Sequence, residues 1–245
     1  MIETMIYDQQ RYDLYTSDDQ EVWSILFMRQ MVMIRTVAYR HFPGQLKKLG
    51  FTSEAIPDFK NTNRRLEKLT GWNIYAVPGL IPNNQFFRFM GNRRFGATTW
   101  MRKKEQLDYL EEPDMFHDVF GHVPLLADPV IAAYLLGLAR IAERYLDKEE
   151  VIEAIARLYW YTIEFGLVKE GKEIKIYGAG ILSSIAETQF VMSKDATHQP
   201  FNLNIILDTP YIKDRFQDQY FVLDSLGQLK GIVKELDHVL RNNYQ

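Results

Sequence analysis

The sequence predicts a mostly helical α+β fold, and three observations lead to that prediction. Its 245 residues, 47% of them hydrophobic, are enough to enclose one substantial core, so we expect a single domain. Apolar residues recur at helical spacing over long segments; in 148–168, for example, Val151, Ile155, Leu158 and Ile163 share one face. The strand candidates are short, and they do not alternate with helices as in a doubly wound sheet.

Capping residues, glycines and prolines set the predicted boundaries. Ser17 to Gln20 has the pattern of a capping box, and Asp128-Pro129 is typical of a helix start. The predicted helices cover residues 17–41, a short stretch from Ser53, 58–69, 83–90, a segment that carries His117 and has Pro113 in its first turn, 129–145, 148–168, 181–192 and 227–240. The predicted strands cover residues 72–77, 94–102, 174–177, 201–206 and 220–223, with a turn at 178–180. We expect residues 1–70 to form an N-terminal helical part, 71–226 the central core and 227–245 a C-terminal helix.

Composition and charge exclude several classes of function. The net charge is only −3, which does not favour a nucleic-acid or anionic membrane partner. The absence of cysteine excludes disulfides, thiolate metal sites and thiol catalysis. No apolar run approaches the roughly 18 residues of a membrane-spanning helix, and the polar, acidic residues 1–20 differ from a signal peptide. We therefore expect a cytoplasmic protein that binds neither nucleic acid nor a membrane.

Two of the five histidines lie close together in a mostly apolar stretch. His117 and His122 are five positions apart, with Gly121 available for a turn between them. Neutral imidazole is the commonest protein ligand for transition metals. The pair therefore indicates a metal site, with two hydrogen-bonded core histidines as the alternative.

Glu164 is the candidate third ligand. It is a lone acid in an apolar, aromatic stretch, where an ionised carboxylate is costly unless it is paired or bound to a metal. Two imidazoles and one carboxylate form the facial arrangement of non-haem Fe(II) oxygenases. The alternative for Glu164 is a surface acid, or one paired with Lys169 or Arg157.

Two other classes of metal protein use similar ligands. A zinc hydrolase is disfavoured because Asp118 follows His117, so the sequence lacks a His-Glu-x-x-His motif. A structural metal site in an interaction domain normally has four ligands. The only candidate fourth ligand is His198, in a polar loop.

Three longer blocks resemble the catalytic domain of the pterin-dependent aromatic amino acid hydroxylases. They are residues 112–125, the segment Leu-Tyr-Trp-Tyr-Thr-Ile-Glu-Phe-Gly-Leu at 158–167, and Tyr-Gly-Ala-Gly-Ile-Leu-Ser-Ser at 177–184. The resemblance runs from about residue 71 to 226. It implies that His117, His122 and Glu164 bind iron.

The same resemblance implies a site for an amino acid substrate. Arg102 matches the arginine that holds the substrate carboxylate, and Asp114 matches the acid that orients it; a planar guanidinium suits both tasks. Trp160 matches the residue packed on the substrate ring, and Ser183 matches a serine beside the carboxylate and a histidine ligand. Pro113 and Gly180 complete the implied set. Without the resemblance, Arg102 would be interpreted as part of a solvated basic cluster with Arg93, Arg94, Lys103 and Lys104.

The pterin site implied by the resemblance spreads over three segments. Its members are Gly79, Leu80, Ile81, Asn83, Phe86, Asp118 and Tyr159. Phe86 matches the phenylalanine that stacks on the pterin ring. The sequence departs from animal members at Pro82-Asn83, where they carry serines. The alternative for this block is a loop followed by a core phenylalanine.

The implied activity is hydroxylation of L-phenylalanine to L-tyrosine with O2, a tetrahydropterin (tetrahydrobiopterin or a bacterial analogue) and non-haem Fe(II), through a ferryl-oxo intermediate. Trp160 argues against tryptophan hydroxylases, which carry a smaller phenylalanine there. Tyrosine hydroxylases carry an aspartate at the position that falls near Lys213 in this sequence, and the lysine argues against that activity. Because Asp214 is adjacent, an alignment shifted by one residue would place an aspartate there and reverse the argument. Tyrosine or tryptophan hydroxylation remains the alternative. Because no regulatory domain or long C-terminal helix is evident, we expect a monomer resembling bacterial phenylalanine hydroxylases.

Overall fold

Helices make up most of the computed structural model, which describes residues 9–108, 110, 112–211, 213 and 215–243. The α-helices are α1 (Ser17–Val37), α2 (Phe42–Leu49), α3 (Phe59–Thr70), α4 (Asn83–Gly91), α5 (Val123–Leu126), α6 (Pro129–Ala142), α7 (Glu149–Tyr159), α8 (Ala179–Leu182), α9 (Ile185–Val191), α10 (Leu203–Asp208) and α11 (Leu229–Asn243). Two segments are π-helical, Phe116–His122 and Trp160–Glu164. Short 3₁₀ turns occur at Tyr12–Leu14, Lys104–Gln106, Glu143–Tyr145 and Leu226–Gln228.

The strands are short and form two small sheets. They are β1 (Asn73–Val77), β2 (Arg94–Thr98), β3 (Leu167–Glu170), β4 (Glu173–Ile176), β5 (His198–Pro200) and β6 (Tyr220–Leu223). β1 and β2 pair in parallel, with Asn73 opposite Arg94. The second sheet has the order β4-β3-β6-β5, in which β3 and β4 are antiparallel and the other pairs are parallel. The α+β class predicted from the sequence is confirmed.

Several predicted helix ends are confirmed within a residue or two. α3 begins after Asp58, whose side chain accepts the Asn61 N–H, and ends at Gly71 in the left-handed conformation. Asp128 caps α6 and is followed by a proline in the first turn. The capping box of α1 lies one residue earlier than predicted: Thr16 and Asp19 exchange the two hydrogen bonds. A carboxylate at that position is a stronger, charge-assisted acceptor near the helix N-terminus.

Two predictions in the N-terminal part are wrong. Residues from Ser53 onward are not helical, because other groups use their backbone: Trp23 donates to the Thr52 carbonyl, and the Ile56 N–H donates to Gln20. The helix in this region is instead α2, which has a proline in its first turn and ends at the left-handed Gly50. α1 ends at Val37 rather than 41, since the Tyr39 N–H donates to the Ile176 carbonyl of β4.

Four predictions in the core also need correction. The helical segment predicted over 148–168 ends at Glu164, and Leu167–Glu170 is strand β3. The predicted turn at 178–180 is the start of α8, and the helix predicted over 181–192 is interrupted at Ser183-Ser184, where Ser184 caps α9. The strand predicted over 201–206 is α10, because Asn202 caps it and Leu203, Ile206 and Leu207 are buried at helical spacing. Strand β5 was not predicted.

One buried apolar cluster connects these elements. α5 and α6 lie at its centre, and Leu125, Leu126, Ile131 and Leu138 are fully buried. Within the described residues, no single helix is long and apolar enough to cross a membrane. Two consecutive helical segments meet the length and composition criterion only when they are taken together, Phe116–Leu126 and Pro129–Tyr145. The chain bends by 102° between them.

Candidate metal centre

The two predicted histidine ligands lie on one π-helix. Residues five apart on an α-helix point about 140° away from each other, since each residue turns about 100°. In the wider π-helix Phe116–His122, the Nε2 atoms of His117 and His122 lie 3.2 Å apart. The turn expected at Gly121 is therefore absent. Gly121 is needed for close packing instead, because a Cβ there would lie 2.8 Å from the Ala179 carbonyl oxygen.

Glu164 completes the cluster from the end of the second π-helix, Trp160–Glu164. Its carboxylate oxygens lie 3.0 Å from His122 Nε2 and 3.7 Å from His117 Nε2. Ligands about 2.1 Å from one ion, at right angles to each other, would lie about 3 Å apart. The three predicted ligands are thus brought together at the spacing that a single transition-metal ion requires, and their donor atoms all lie within 4.8 Å of one another.

Burial and mutual charge set the protonation of the cluster. Burial lowers the pKa of His117 overall, which favours the neutral, ligating imidazole. For His122, burial also lowers the pKa, but the nearby Glu164 carboxylate outweighs it and the net shift is upward. Burial raises the pKa of Glu164, yet the two histidines outweigh it and the net shift is downward. In the absence of metal, Glu164 is therefore a carboxylate paired mainly with His122.

Hydroxyl groups orient both imidazoles. Ser183 Oγ donates to the Ala179 carbonyl at 2.8 Å, so it accepts a hydrogen bond from His117 Nδ1 at 3.0 Å. The Tyr159 hydroxyl lies 3.3 Å from His122 Nδ1, and burial raises the pKa of Tyr159 well above its ordinary value. Because Nδ1 of His117 carries the proton, its Nε2 lone pair faces the cluster, and the Tyr159 hydroxyl holds the His122 ring with Nε2 on the same side. The donor set and its orientation therefore fit a divalent iron ion.

Arg102 and Asp114 form a buried ion pair beside the cluster. The guanidinium donates from Nε and Nη2 to the two carboxylate oxygens, each at 2.9 Å. Asp114, which is completely buried, also accepts the backbone N–H groups of Arg102 and His117. Pro113 precedes this acid and lies outside the helix in which it was predicted. The arrangement fixes the guanidinium in one orientation relative to the histidine segment.

A cavity of about 220 Å³ opens beside this ion pair. Arg102 and Ser183 line it together with Leu26, Gln30, Phe116 and Ser184. Two of the residues predicted to bind the substrate therefore share one cavity. The arginine is a suitable partner for the carboxylate of a small molecule.

Aromatic rings form a second wall near Glu164. A Cβ at Gly180 would lie 3.2 Å both from Glu164 Oε2 and from Phe165 Cζ, so this glycine allows the Phe165 ring to lie next to the carboxylate. Trp160 packs on Phe165 with a centroid distance of 4.8 Å, and Tyr211 stacks on Trp160 at 4.6 Å. The structure thus places Trp160 and Gly180 on the Glu164 side of the cluster. Lys213 is exposed over the Tyr211 ring, and Asp214 lies outside the described residues.

The residues predicted for the pterin fall into two groups. Phe86 packs edge-on against Tyr159 at 5.1 Å, and Asp118 accepts the Thr98 N–H at 2.7 Å, so these three lie on the His122 side. Burial raises the pKa of Asp118. The other four, Gly79, Leu80, Ile81 and Asn83, lie in and just after the loop between β1 and α4, where Leu80 is 75% exposed. A role for all seven in binding a cofactor remains a prediction.

Three residues of the site were not predicted. Phe95 lies 5.0 Å from the His122 ring, Phe165 adjoins Glu164, and Gln217 Oε1 accepts the Trp160 indole N–H at 3.0 Å. Phe165 is inside a recognisable block, so its position next to Glu164 was a usable signal. Phe95 and Gln217 are in segments without a motif, and only the fold brings them to the site.

Comparisons with known proteins agree with this geometry. The chain is 46% identical over 230 residues to the phenylalanine-4-hydroxylase of Mesorhizobium japonicum. The aligned region covers 93% of this chain and 82% of that protein. The structure of Chromobacterium violaceum phenylalanine hydroxylase with bound iron(III) and 7,8-dihydrobiopterin matches with a TM-score of 0.89 and 42% identity, over 96% of this chain and 86% of that one. A family model described as biopterin-dependent aromatic amino acid hydroxylase matches residues 10–245. The chain therefore belongs to the biopterin-dependent aromatic amino acid hydroxylases.

Proposed function

We propose that the protein is a phenylalanine 4-monooxygenase that converts L-phenylalanine to L-tyrosine with O2, a tetrahydropterin and non-haem Fe(II). The observation that carries the proposal is the cluster of His117, His122 and Glu164 beside the Arg102–Asp114 pair. Three ligands of this type leave coordination positions for other molecules. The relatives named phenylalanine-4-hydroxylase support the same reaction, and the family description and the related structure with iron(III) and 7,8-dihydrobiopterin support the cofactors.

The side chains would bind and orient the reactants. His117, His122 and Glu164 would hold iron, which together with the tetrahydropterin supplies the oxygen activation and the two electrons of the reaction. Asp114 occupies Nε and Nη2 of Arg102, so Nη1 remains to bind the substrate carboxylate. Ser183 would keep the proton of His117 on Nδ1 during turnover. The partly buried ring of Phe86 and the buried ring of Tyr159 would exclude water and pack against the flat pterin.

The aromatic wall supports phenylalanine as the preferred substrate. Trp160 is only partly buried and is held between Phe165 and Tyr211, so a large ring limits the space beside Glu164. A smaller side chain at this position would admit an indole substrate more easily. Lys213 is exposed and not part of a buried pocket, as expected for a solvated surface lysine that does not select the substrate.

We also propose that residues 1–245 form a single catalytic domain with the three parts described above, and that it acts as a cytoplasmic monomer without nucleic-acid or membrane partners. The continuous hydrophobic cluster that connects α1 to α11 supports the single domain. The modest net charge and the absence of cysteine support the location and the partners. Light scattering during size-exclusion chromatography would measure the mass in solution, and a mass near 28.8 kDa is expected for the monomer.

Turnover of the three aromatic amino acids tests the function. The protein is loaded with Fe(II) without oxygen, then supplied with air, a tetrahydropterin and phenylalanine, tyrosine or tryptophan, and the products are separated by chromatography. We expect tyrosine from phenylalanine, and a loss of at least about 10³-fold in Glu164→Ala, because removing a ligand removes the bound metal. Glu170→Ala, in strand β3, is the control and should retain activity. A preferred product from another amino acid would contradict the substrate assignment, and turnover without pterin or metal would contradict the reaction class.

A further inference from the structure

Trp160 is held by a single buried amide. Its indole Nε1–H donates to Gln217 Oε1 at 3.0 Å, and only 3% of Gln217 is exposed. An indole N–H left without an acceptor in this partly buried position would be unfavourable, so this hydrogen bond favours one orientation of the ring over others. Phe165 and Tyr211 restrict the ring through packing, but stacking alone permits the indole to slide or flip in its plane. Gln217 is therefore the group that distinguishes the two edges of the indole.

The Trp160 ring is close enough to the metal cluster for its orientation to matter. The Phe165 ring and the Glu164 carboxylate both lie close to the Gly180 backbone, and Trp160 packs on Phe165. Trp160 also begins the π-helix that ends at Glu164. A substrate ring placed near the metal on this side would meet an aromatic wall whose shape depends on how Trp160 is turned.

Gln217 has hydrogen-bonded residues on either side of it along the chain. The Pro210 carbonyl accepts the Tyr161 hydroxyl at 2.7 Å, and the Tyr220 hydroxyl donates to Glu187. The Gln217 backbone also hydrogen-bonds Glu187, and this interaction opposes the rise in the Glu187 pKa caused by burial. The backbone of Gln217 is thus held to α9 through Glu187, while its side-chain amide meets Trp160.

We propose that Gln217 is a positioning residue that fixes the orientation of Trp160 and so contributes to the preference for a single-ring amino acid over tryptophan. The proposal rests on the phenylalanine hydroxylase function proposed above. Gln217 does not touch the metal cluster; its effect passes through the indole ring. Its loss should relax the aromatic wall, which admits the larger substrate and orients phenylalanine less well.

The test compares four proteins and one double variant. Gln217→Met keeps the length of the side chain and removes the amide oxygen, while Gln219→Met makes the same change two residues away in the same segment. Trp160→Phe removes the indole N–H, and Trp160→Phe/Gln217→Met closes a double-mutant cycle. If Gln217→Met does not fold, Gln217→Asn takes its place in the cycle. The asparagine side chain is one methylene shorter, so its amide oxygen is withdrawn from the indole N–H.

Two measurements are made on each protein. The first is the ratio of kcat/KM for phenylalanine to that for tryptophan. We expect this ratio to fall about fivefold in Gln217→Met, the change that one neutral hydrogen bond represents, and to stay constant in Gln219→Met. In the Trp160→Phe background, Gln217→Met should cause no further change. A fall of equal size in that background would overturn the proposal, because Gln217 would then act on the segment and not through Trp160.

The second measurement does not depend on turnover. The chain has four tryptophans, so the indole N–H resonances of the metal-free protein can be assigned with Trp160→Phe. Gln217→Met should shift the Trp160 resonance and speed its hydrogen exchange, while the resonance of Trp23, which donates to the Thr52 carbonyl, stays unchanged. An unchanged Trp160 resonance would overturn the proposal. If the wild-type protein hydroxylates no aromatic amino acid, the proposed function fails, and the resonance still reports whether the hydrogen bond exists.

Discussion

At the scale of residues, most groups in the centre perform their role through a second side chain. His117 is oriented by Ser183, His122 by Tyr159, and Arg102 by Asp114. Each partner disfavours an orientation or tautomer that would not bind the metal or the substrate. The chemistry of the site therefore depends on hydroxyl and carboxylate groups that never contact the metal, and substitutions at these partners should weaken binding without removing a ligand.

Glu187 provides a prediction about pH at this scale. It is buried, accepts the Tyr220 hydroxyl, and has a pKa raised by burial. A carboxyl group whose pKa is raised in the folded state stabilises the fold below its unfolded pKa, about 4.3, and this contribution is lost as the pH rises through the folded value. Glu187→Gln keeps an acceptor for Tyr220 and has no proton to lose. We expect the variant to gain stability relative to wild type as the pH increases from about 4.5 to 7.

The measurement is the free energy of unfolding from urea titrations at several pH values. Glu235→Gln, on the exposed surface of α11, is the matched control and should leave the pH profile of the wild type unchanged. A Glu187→Gln profile parallel to that of the wild type over the same range would contradict the prediction.

The residues of the site differ in how well the sequence predicts them. His117, His122, Glu164 and Asp114 lie in dense, recognisable blocks, and Arg102 was predicted only through the family resemblance, because on its own it belongs to a basic cluster. Gln217 and Phe95 are distant from those blocks along the chain. Their proximity to Trp160 and His122 results from packing between elements, which local residue patterns do not encode.

At the scale of elements, the centre depends on two π-helical segments in contact with α8. Gly121 of the first segment packs against the Ala179 carbonyl, and Gly180 packs against Glu164 of the second. The sequence indicated helices in both places, because apolar periodicity identifies a helix but not its hydrogen-bonding pattern. A related limit explains α10, because a stretch as short as residues 201–206, with two asparagines among apolar residues, is compatible with either a strand or a helix.

Gly121→Ala tests the close contact between the first π-helix and α8. The added Cβ would lie 2.8 Å from a backbone oxygen, so the helices must separate. We expect a loss of about 1–3 kcal/mol in the free energy of unfolding and weaker Fe(II) binding. The measurements are chemical denaturation and anaerobic metal titration.

Gly44→Ala is the control for that substitution. Gly44 lies inside α2 with nothing within 4 Å of the added Cβ, and alanine in a helix should increase stability by about 0.5–1 kcal/mol. Equal effects of the two substitutions on stability, or an unchanged affinity for Fe(II) in Gly121→Ala, would show that this contact does not position the ligands.

At the scale of the whole molecule, the metal would join distant parts of the chain. The histidines and Glu164 are separated by more than forty residues, and a bound ion connects the two π-helices directly. Because the assembled site exists only in the folded state, the binding free energy adds to folding stability. Fe(II) at 100 times its dissociation constant should add about 2.7 kcal/mol, which corresponds to a rise in Tm of about 5–10 °C for a chain of this size.

The rise in Tm caused by Fe(II) should depend on pH. The pKa of His122 is raised in the metal-free fold, so its proton stabilises that fold at low pH, and the contribution disappears as the pH rises through the folded pKa. Iron must displace the same proton. The rise in Tm with Fe(II) should therefore grow as the pH increases from about 6 to 8. Anaerobic calorimetry with and without Fe(II) measures it, and Glu164→Ala should show little increase at any pH; a gain that shrinks with rising pH would contradict the prediction.

The π-helices have a consequence for how such a chain tolerates insertions and deletions. Each hydrogen bond of a π-helix joins residues five apart, whereas each hydrogen bond of an α-helix joins residues four apart, so the π-helical segment encloses one more residue. Deleting one residue between His117 and His122 would allow an ordinary α-helix to form, in which the histidines are four apart and the rings shift along the axis relative to Glu164. The number of residues between the ligands is therefore as much a determinant of this centre as their identity, because it sets where both imidazoles lie relative to Glu164.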